Sequence, residues 1–131
     1  MTTMKQLTRE DKVKQFRDAA GKVNFDGTPD SIDESIATCI VEELNEFFLA
    51  ADAYIKDTSD DNLRAELCKE WADLQYVVSQ AALYFNIPAD ESFNRVHLSN
   101  MTKVIDGKVI FRPDGKILKP DTYEAPDMRG L

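Results

Sequence analysis

Cysteine and histidine are scarce in this chain of 131 residues, which has two cysteines, Cys39 and Cys68, and one histidine, His97. The cysteines do not form a Cys-x-x-Cys pair, so the sequence gives little support for a zinc site or a disulfide framework. The shortage of histidine also excludes a di-iron centre of the ferritin type, which needs repeated Glu-x-x-His motifs. We therefore expect both cysteines to be small buried residues.

Long apolar segments are absent as well. The longest runs, Phe47 to Ala51 and Ala81 to Phe85, are far too short to span a bilayer. The opening residues, MTTMKQLTREDK, lack the apolar stretch of a signal peptide. We therefore expect a cytoplasmic protein that does not bind a membrane.

Basic residues are outnumbered, with 16 Lys and Arg against 24 Asp and Glu, for a net charge of −8. The excess lies in residues 1–100, which carry −9, whereas residues 101–131 carry +1. An acidic body repels a phosphate backbone, so this charge argues against binding to a nucleic-acid polymer unless a bound cation reverses the local sign.

The chain is 43% apolar and 31% charged, enough for one globular domain over residues 1–131 with a single core. A change in composition near residue 101 separates a helical body, about 8–101, from a tail, about 102–131. The predicted fold is all-α, a bundle of four to five helices with a small C-terminal β-hairpin or arm. The hairpin is indicated by VIDGKVI, because Asp-Gly between β-branched residues favours a type I′ turn. Apolar spacing predicts helices over about residues 9–20, 31–55, 61–85 and 89–100.

Two capping boxes mark the predicted helix starts. Thr8 with Asp11 begins the first helix, which Gly21 ends, and Ser31 with Glu34 begins the second.

Three acidic residues share one side of the second predicted helix. At about 100° per residue, Glu42, Glu43 and Glu46 lie at about 0°, 100° and 40°, opposite the apolar stripe. A solvated acidic face is the ordinary alternative. However, residues 23–55 contain no lysine or arginine to compensate the charge.

The third predicted helix adds Glu70 and Asp73, and Glu70 projects within about 40° of the middle of its apolar stripe. A carboxylate directed at the core must be protonated, paired with a base from another helix, or bound to a metal. Lys69 on the same helix is directed about 100° away from it.

Antiparallel packing of these two helices brings five carboxylates together, and such a cluster needs a cation. Ligand sets made only of oxygen suit Mg²⁺ or Mn²⁺. A magnesium site on a helical bundle has phosphate esters or anhydrides as its natural substrates.

The spacing Glu42-Glu43-x-x-Glu46, followed after 23 residues by Glu70-x-x-Asp73, resembles the EExxE…ExxD signature of the all-alpha nucleoside triphosphate pyrophosphohydrolases. That superfamily includes MazG, the dimeric dUTPases, the dCTP pyrophosphatases and phosphoribosyl-ATP pyrophosphohydrolase. The similarity continues through ADLQYVVSQAALYFNIP and FNRVHLSNMTKVIDGKVIFRPDGKILKP, which look MazG-like or phosphoribosyl-ATP pyrophosphohydrolase-like.

The resemblance implies hydrolysis between the α and β phosphates of a nucleotide, with Mg²⁺, or Mn²⁺ in its place, as cofactor. It also implies a homodimer or a dimer of dimers. Carried over by position, the metal ligands would be Glu43, Glu46, Glu70 and Asp73. Glu42 would be the catalytic residue, either as a further ligand or by orienting and deprotonating the attacking water. The bulky Trp71 after Glu70 departs from the expected pattern.

A polar line follows on the fourth predicted helix, where Asn94, His97 and Asn100 are spaced by three residues and Lys103 extends them. We predict that these residues bind the substrate, with Lys103 on a phosphate. The alternative is an exposed helix edge with Asn100 as a cap.

Two other functions stay open. One is a catalytically silent bundle that binds a protein partner, and the other is a hydrolase of a non-standard nucleotide such as an alarmone or a phosphoribosyl nucleotide. The residues do not specify the preferred base or sugar.

Overall fold

The computed structural model describes residues 6–131, which contain no β-strand. The expectation that the chain lacks a signal peptide rests in part on residues 1–5, which lie outside the described residues. A short 3₁₀-helix, Pro29–Ser31, precedes the second α-helix. Because the described residues form helices and contain no strand, the predicted all-α fold is confirmed. The described α-helices are α1 (Arg9–Ala19), α2 (Ser35–Lys56), α3 (Asp61–Tyr84) and α4 (Ala89–Met101).

The chain divides into two compact units, one ending at Asn86 and the other comprising Ile87–Leu131. In the first, α3 packs against both α1 and α2. The second contains α4 and the C-terminal tail. That the whole chain forms a single domain stays a prediction. No helix among the described residues is sufficiently long and apolar to cross a bilayer.

One of the two predicted capping boxes is confirmed. The Thr8 hydroxyl accepts the Asp11 N–H at 3.1 Å, and the Asp11 carboxylate accepts the Thr8 N–H at 2.9 Å. The box of Ser31 and Glu34 is wrong, because Ser31 ends the 3₁₀-helix and α2 begins only at Ser35. Pro29 starts that separate turn, and an extended Ile32 then breaks the helical path.

The connection from α1 to α2 is anchored on the end of α3 by Tyr84, which is 2% exposed. Its hydroxyl accepts the backbone N–H of Asp33 at 2.6 Å and donates to the Ser31 carbonyl at 3.0 Å. Asp33 in turn accepts the backbone N–H of Ser35 at 3.0 Å. Tyr84 therefore ties the residues just before α2 to the end of α3.

The apolar stripe that the spacing predicts for α2 includes Leu44, Phe47, Phe48 and Ile55, and it is only partly covered. Val41, Leu44, Phe48 and Ile55 on α2 are 53–73% exposed. The half-buried positions of the helix include Cys39, Glu43, Phe47 and Ala50. Among the described residues, Val13 and Tyr84 are the fully buried apolar side chains, so full burial of apolar residues is rare in the isolated chain.

The predicted C-terminal hairpin is reduced to isolated bridges. Ile105 pairs with Lys108 around a turn in which Asp106 and Gly107 both have positive φ, at 50° and 75°, as a type I′ turn requires. The strand on the N-terminal side is missing because the chain continues in helical turns, with the Val104 N–H donating to the Met101 carbonyl at 3.1 Å. The Asp-Gly turn is therefore correct and the ladder is wrong.

Candidate metal centre

The acidic residues of α2 and α3 meet where these helices pack together. One carboxylate oxygen from each of Glu43, Glu46 and Glu70 lies within 4.8 Å of the other two. The short connection at residues 57–60 turns the chain back on itself, so two separate acidic segments form one group. The predicted meeting of the two helices at their carboxylates is thus realised for three of the five residues.

Burial makes this group different from a solvated acidic face. Glu70 is 5% exposed. One oxygen of Glu70 and one oxygen of Glu43, Oε2 in both cases, are buried without a hydrogen-bond partner. A buried carboxylate oxygen without a donor or a cation is costly, and native structures contain few such atoms. The two oxygens are therefore suited to a ligand that carries positive charge.

The charges in the group perturb one another. The pKa of Glu46 is raised, first by the negative charge of Glu43 and then by contact with Glu70. The pKa of Glu70 is lowered, first because Lys69 donates a hydrogen bond to it. The negative neighbours of Glu46 therefore favour binding of a proton or a cation at that carboxylate.

The position of Lys69 was predicted wrongly. Its ammonium Nζ lies 3.1 Å from Glu70 Oε1 and 3.0 Å from Asp73 Oδ2. The Cα–Cβ bond of Lys69 is directed away from that of Glu70, as helical geometry requires. However, the long flexible side chain bends back, so that its ammonium reaches the Glu70 carboxylate. Asp73, which is paired with Lys69, lies outside the group of three, and so does the exposed Glu42.

The sequence interpretation also missed Glu66. Its side chain contributes to lowering the pKa of Glu70 through a hydrogen bond. Glu66 precedes Glu70 by four residues on α3, so the two share one face of the helix. That spacing was a usable signal for a further acidic residue beside the site.

The predicted substrate-binding residues lie in the second unit. Asn94, His97 and Asn100 are exposed on α4, and the ammonium of Lys103 donates to Asn100 Oδ1 at 3.2 Å. The Lys103 ammonium also lies 5.4 Å from the centre of the Tyr123 ring. Their role in binding a substrate stays a prediction.

The donor set fits a hard divalent cation. Mg²⁺ prefers oxygen ligands at about 2.1 Å, so opposite ligands in an octahedron lie about 4.2 Å apart. The three oxygens of Glu43, Glu46 and Glu70 are within 4.8 Å, close to that span. Among the described residues no histidine or cysteine belongs to the group, which disfavours a zinc site.

The chain was compared with known proteins. Residues 9–100 match the family model described as phosphoribosyl-ATP pyrophosphohydrolase, which covers the four α-helices except for the last residue of α4. No curated protein matches the chain. The family is typically metal-dependent, and its members have nucleotide pyrophosphohydrolase activity. The match spans more than half of the residues, so the chain belongs to the phosphoribosyl-ATP pyrophosphohydrolase family, within the all-alpha nucleoside triphosphate pyrophosphohydrolase superfamily.

Proposed function

We propose that the protein is a metal-dependent nucleoside triphosphate pyrophosphohydrolase. It cleaves the bond between the α and β phosphates and releases a nucleoside monophosphate, with ribose or deoxyribose, and pyrophosphate. The observation that carries the proposal is the pair of buried, unpartnered oxygens on Glu43 and Glu70 in a group of three carboxylates. A family of pyrophosphohydrolases supports the reaction class.

Glu43, Glu46, Glu70 and Asp73 would hold the metal, with Mg²⁺ as the expected ion and Mn²⁺ as a substitute. When bound, a divalent cation neutralises phosphate charge and acidifies water. We assign Glu42, exposed beside the group on α2, the role of orienting the attacking water and accepting its proton. Lys103 would donate to a phosphate, and Asn94, His97 and Asn100 would contact the sugar or the phosphates.

The direct test is pyrophosphate release from a panel of ribo- and deoxyribonucleoside triphosphates, and orthophosphate release from the matching diphosphates, with Mg²⁺, with Mn²⁺ and with chelator. We expect release that requires a metal and is confined to one subset of nucleotides. Silence from a folded protein that binds metal would oppose this substrate class. Silence from a protein that binds no metal would support the alternative of a silent interaction module.

A second candidate substrate is a phosphoribosyl nucleotide, which the description of the matching family favours. The same panel should therefore contain phosphoribosyl-ATP. Turnover of that compound alone would change the proposed substrate and leave the proposed reaction class unchanged.

We also propose that the protein assembles as a homodimer or a dimer of dimers and that it acts in the cytoplasm. The apolar face of α2, formed by Val41, Leu44, Phe48 and Ile55, is 53–73% exposed. Contiguous apolar surface of this kind marks sites of protein association. In the proposed assembly, a second copy of the chain would cover this face. If the chain were instead a silent interaction module, an unrelated protein partner would cover it.

A further inference from the structure

We propose that Lys69 is an internal counter-ion that occupies the edge of the carboxylate group in the metal-free protein and releases Glu70 when a divalent cation binds. The inference rests on the proposed metal site and assigns a role to a residue outside the acidic motif. In this view Lys69 lowers metal affinity and keeps Asp73 apart from the other acidic residues until the metal is bound.

The first step of the argument is the contact itself. The Lys69 ammonium donates to Glu70 Oε1 at 3.1 Å and to Asp73 Oδ2 at 3.0 Å. It therefore joins a member of the three-carboxylate group to the one predicted ligand on α3 that lies outside the group.

The second step is the charge balance. Among the ion pairs of residues 6–131, those of Lys69 are the ones that involve the three-carboxylate group or Asp73. A single ammonium satisfies one oxygen of Glu70 and leaves Oε2 of both Glu70 and Glu43 without a partner. Lys69 is therefore an incomplete substitute for a divalent cation, which carries twice its charge.

The third step is mobility. The Lys69 side chain is 62% exposed, whereas that of Glu70 is 7% exposed. Separation of the pair therefore requires movement of the flexible lysine into solvent, with no change in the helix packing around Glu70.

The test is calorimetric titration of Mg²⁺ and Mn²⁺ into the chelator-treated full chain, which reads binding without any turnover. Lys69→Met should bind about three- to tenfold more tightly than the parent, because no internal cation has to be displaced. Lys69→Arg, which retains the charge in a planar fork suited to carboxylates, should bind no more tightly than the parent.

The matched control is Lys56→Met. Lys56 pairs with Asp52 four residues away at 2.9 Å, as Lys69 pairs with Asp73, but this pair is outside the carboxylate group. Lys56 lies ten residues along α2 from Glu46, about 15 Å at 1.5 Å per residue. We expect metal affinity within about twofold of the parent, since exposed charges farther apart than the Debye length of about 8–10 Å are largely screened. An equal gain in both lysine variants would overturn the proposal, because it would report only the general loss of positive charge.

A second measurement uses the parent chain alone and does not depend on the folding of a variant. In ¹H–¹⁵N spectra of lysine ammonium groups, the Lys69 signal, identified by its loss in Lys69→Arg, should move or disappear as Mg²⁺ is added. A signal unchanged at saturating Mg²⁺ would overturn the inference while the metal site stands. A parent chain that binds neither ion would overturn both the inference and the proposed function.

Discussion

Glu43 on α2 and Glu70 on α3 meet where the two helices pack, and each buries one carboxylate oxygen that has no hydrogen-bond partner. Two buried like charges oppose the packing of the helices that carry them. These two carboxylates therefore destabilise the isolated fold, and the positive charge of a bound divalent cation would remove this destabilisation.

Replacement of Glu70 by glutamine should abolish the proposed reaction. The variant removes a charged ligand and keeps the shape of the side chain, so we expect metal-dependent pyrophosphate release to fall by more than about 100-fold. Glu34→Gln is the control, because Glu34 is exposed and its side chain does not cap α2. Turnover at the parent rate in Glu70→Gln would show that the site is assigned incorrectly.

Metal binding should stabilise the fold. A ligand present at 100 times its Kd adds about 2.7 kcal/mol to the free energy of unfolding. We expect Mg²⁺ and Mn²⁺ to raise the Tm of the parent protein, chelator to reverse the effect, and Glu43→Gln to lose it. The same rise with Na⁺ at equal ionic strength would indicate simple charge screening.

The stability of the metal-free protein should depend on Glu46 in a direction set by its raised pKa. The repulsion that raises this pKa acts only on the ionised carboxylate, so it is absent below the ordinary value of 4.5 and is complete above the raised pKa. Glu46→Gln should therefore have a higher Tm than the parent near neutral pH, and the difference should shrink as the pH falls toward 4.5. Thermal melts in chelator across this range provide the test, and a constant difference would contradict the assignment.

Loss of the Tyr84 hydroxyl should loosen the start of α2. In Tyr84→Phe the Asp33 N–H and the Ser31 carbonyl lose their partner, at a cost of about 1–3 kcal/mol in the free energy of unfolding. Urea denaturation measures this change. Tyr76→Phe is the matched control, since the exposed Tyr76 contacts Phe16 through its ring. Equal stability of the two variants would argue against an anchoring role.

The exposed apolar face of α2 should be the surface of self-association. Phe48 is 65% exposed, and Phe48→Glu places a charge in the middle of this face. Light scattering after size-exclusion chromatography should give a dimer or tetramer for the parent and a monomer for the variant. Val23→Glu, at an apolar position outside α2 that is 80% exposed, should assemble like the parent. A monomeric parent would refute the proposed assembly.

Local sequence patterns were sufficient for much of the helical architecture. Apolar spacing located the four α-helices of residues 6–131, and the reciprocal hydrogen bonds of Thr8 and Asp11 form between residues three apart, whatever the rest of the chain does. The Asp106-Gly107 turn is equally local, because it depends on the tolerance of these residues for positive φ. The pairing around that turn is limited to the Ile105–Lys108 bridge, because a ladder also needs extended neighbours and the residues after α4 form helical turns.

The site divides in the same way. Helical periodicity determined that Glu43 and Glu46 share one side of α2 and that Glu70 is directed inward from α3, because these relations follow from about 100° per residue. Only the tertiary structure decided which carboxylates meet and that part of the α2 stripe is left exposed. Those outcomes depend on side-chain rotamers and on the rotation of one helix against another. Such choices are set by contacts between residues far apart in the chain, such as Tyr84 with Asp33, and no local pattern contains them.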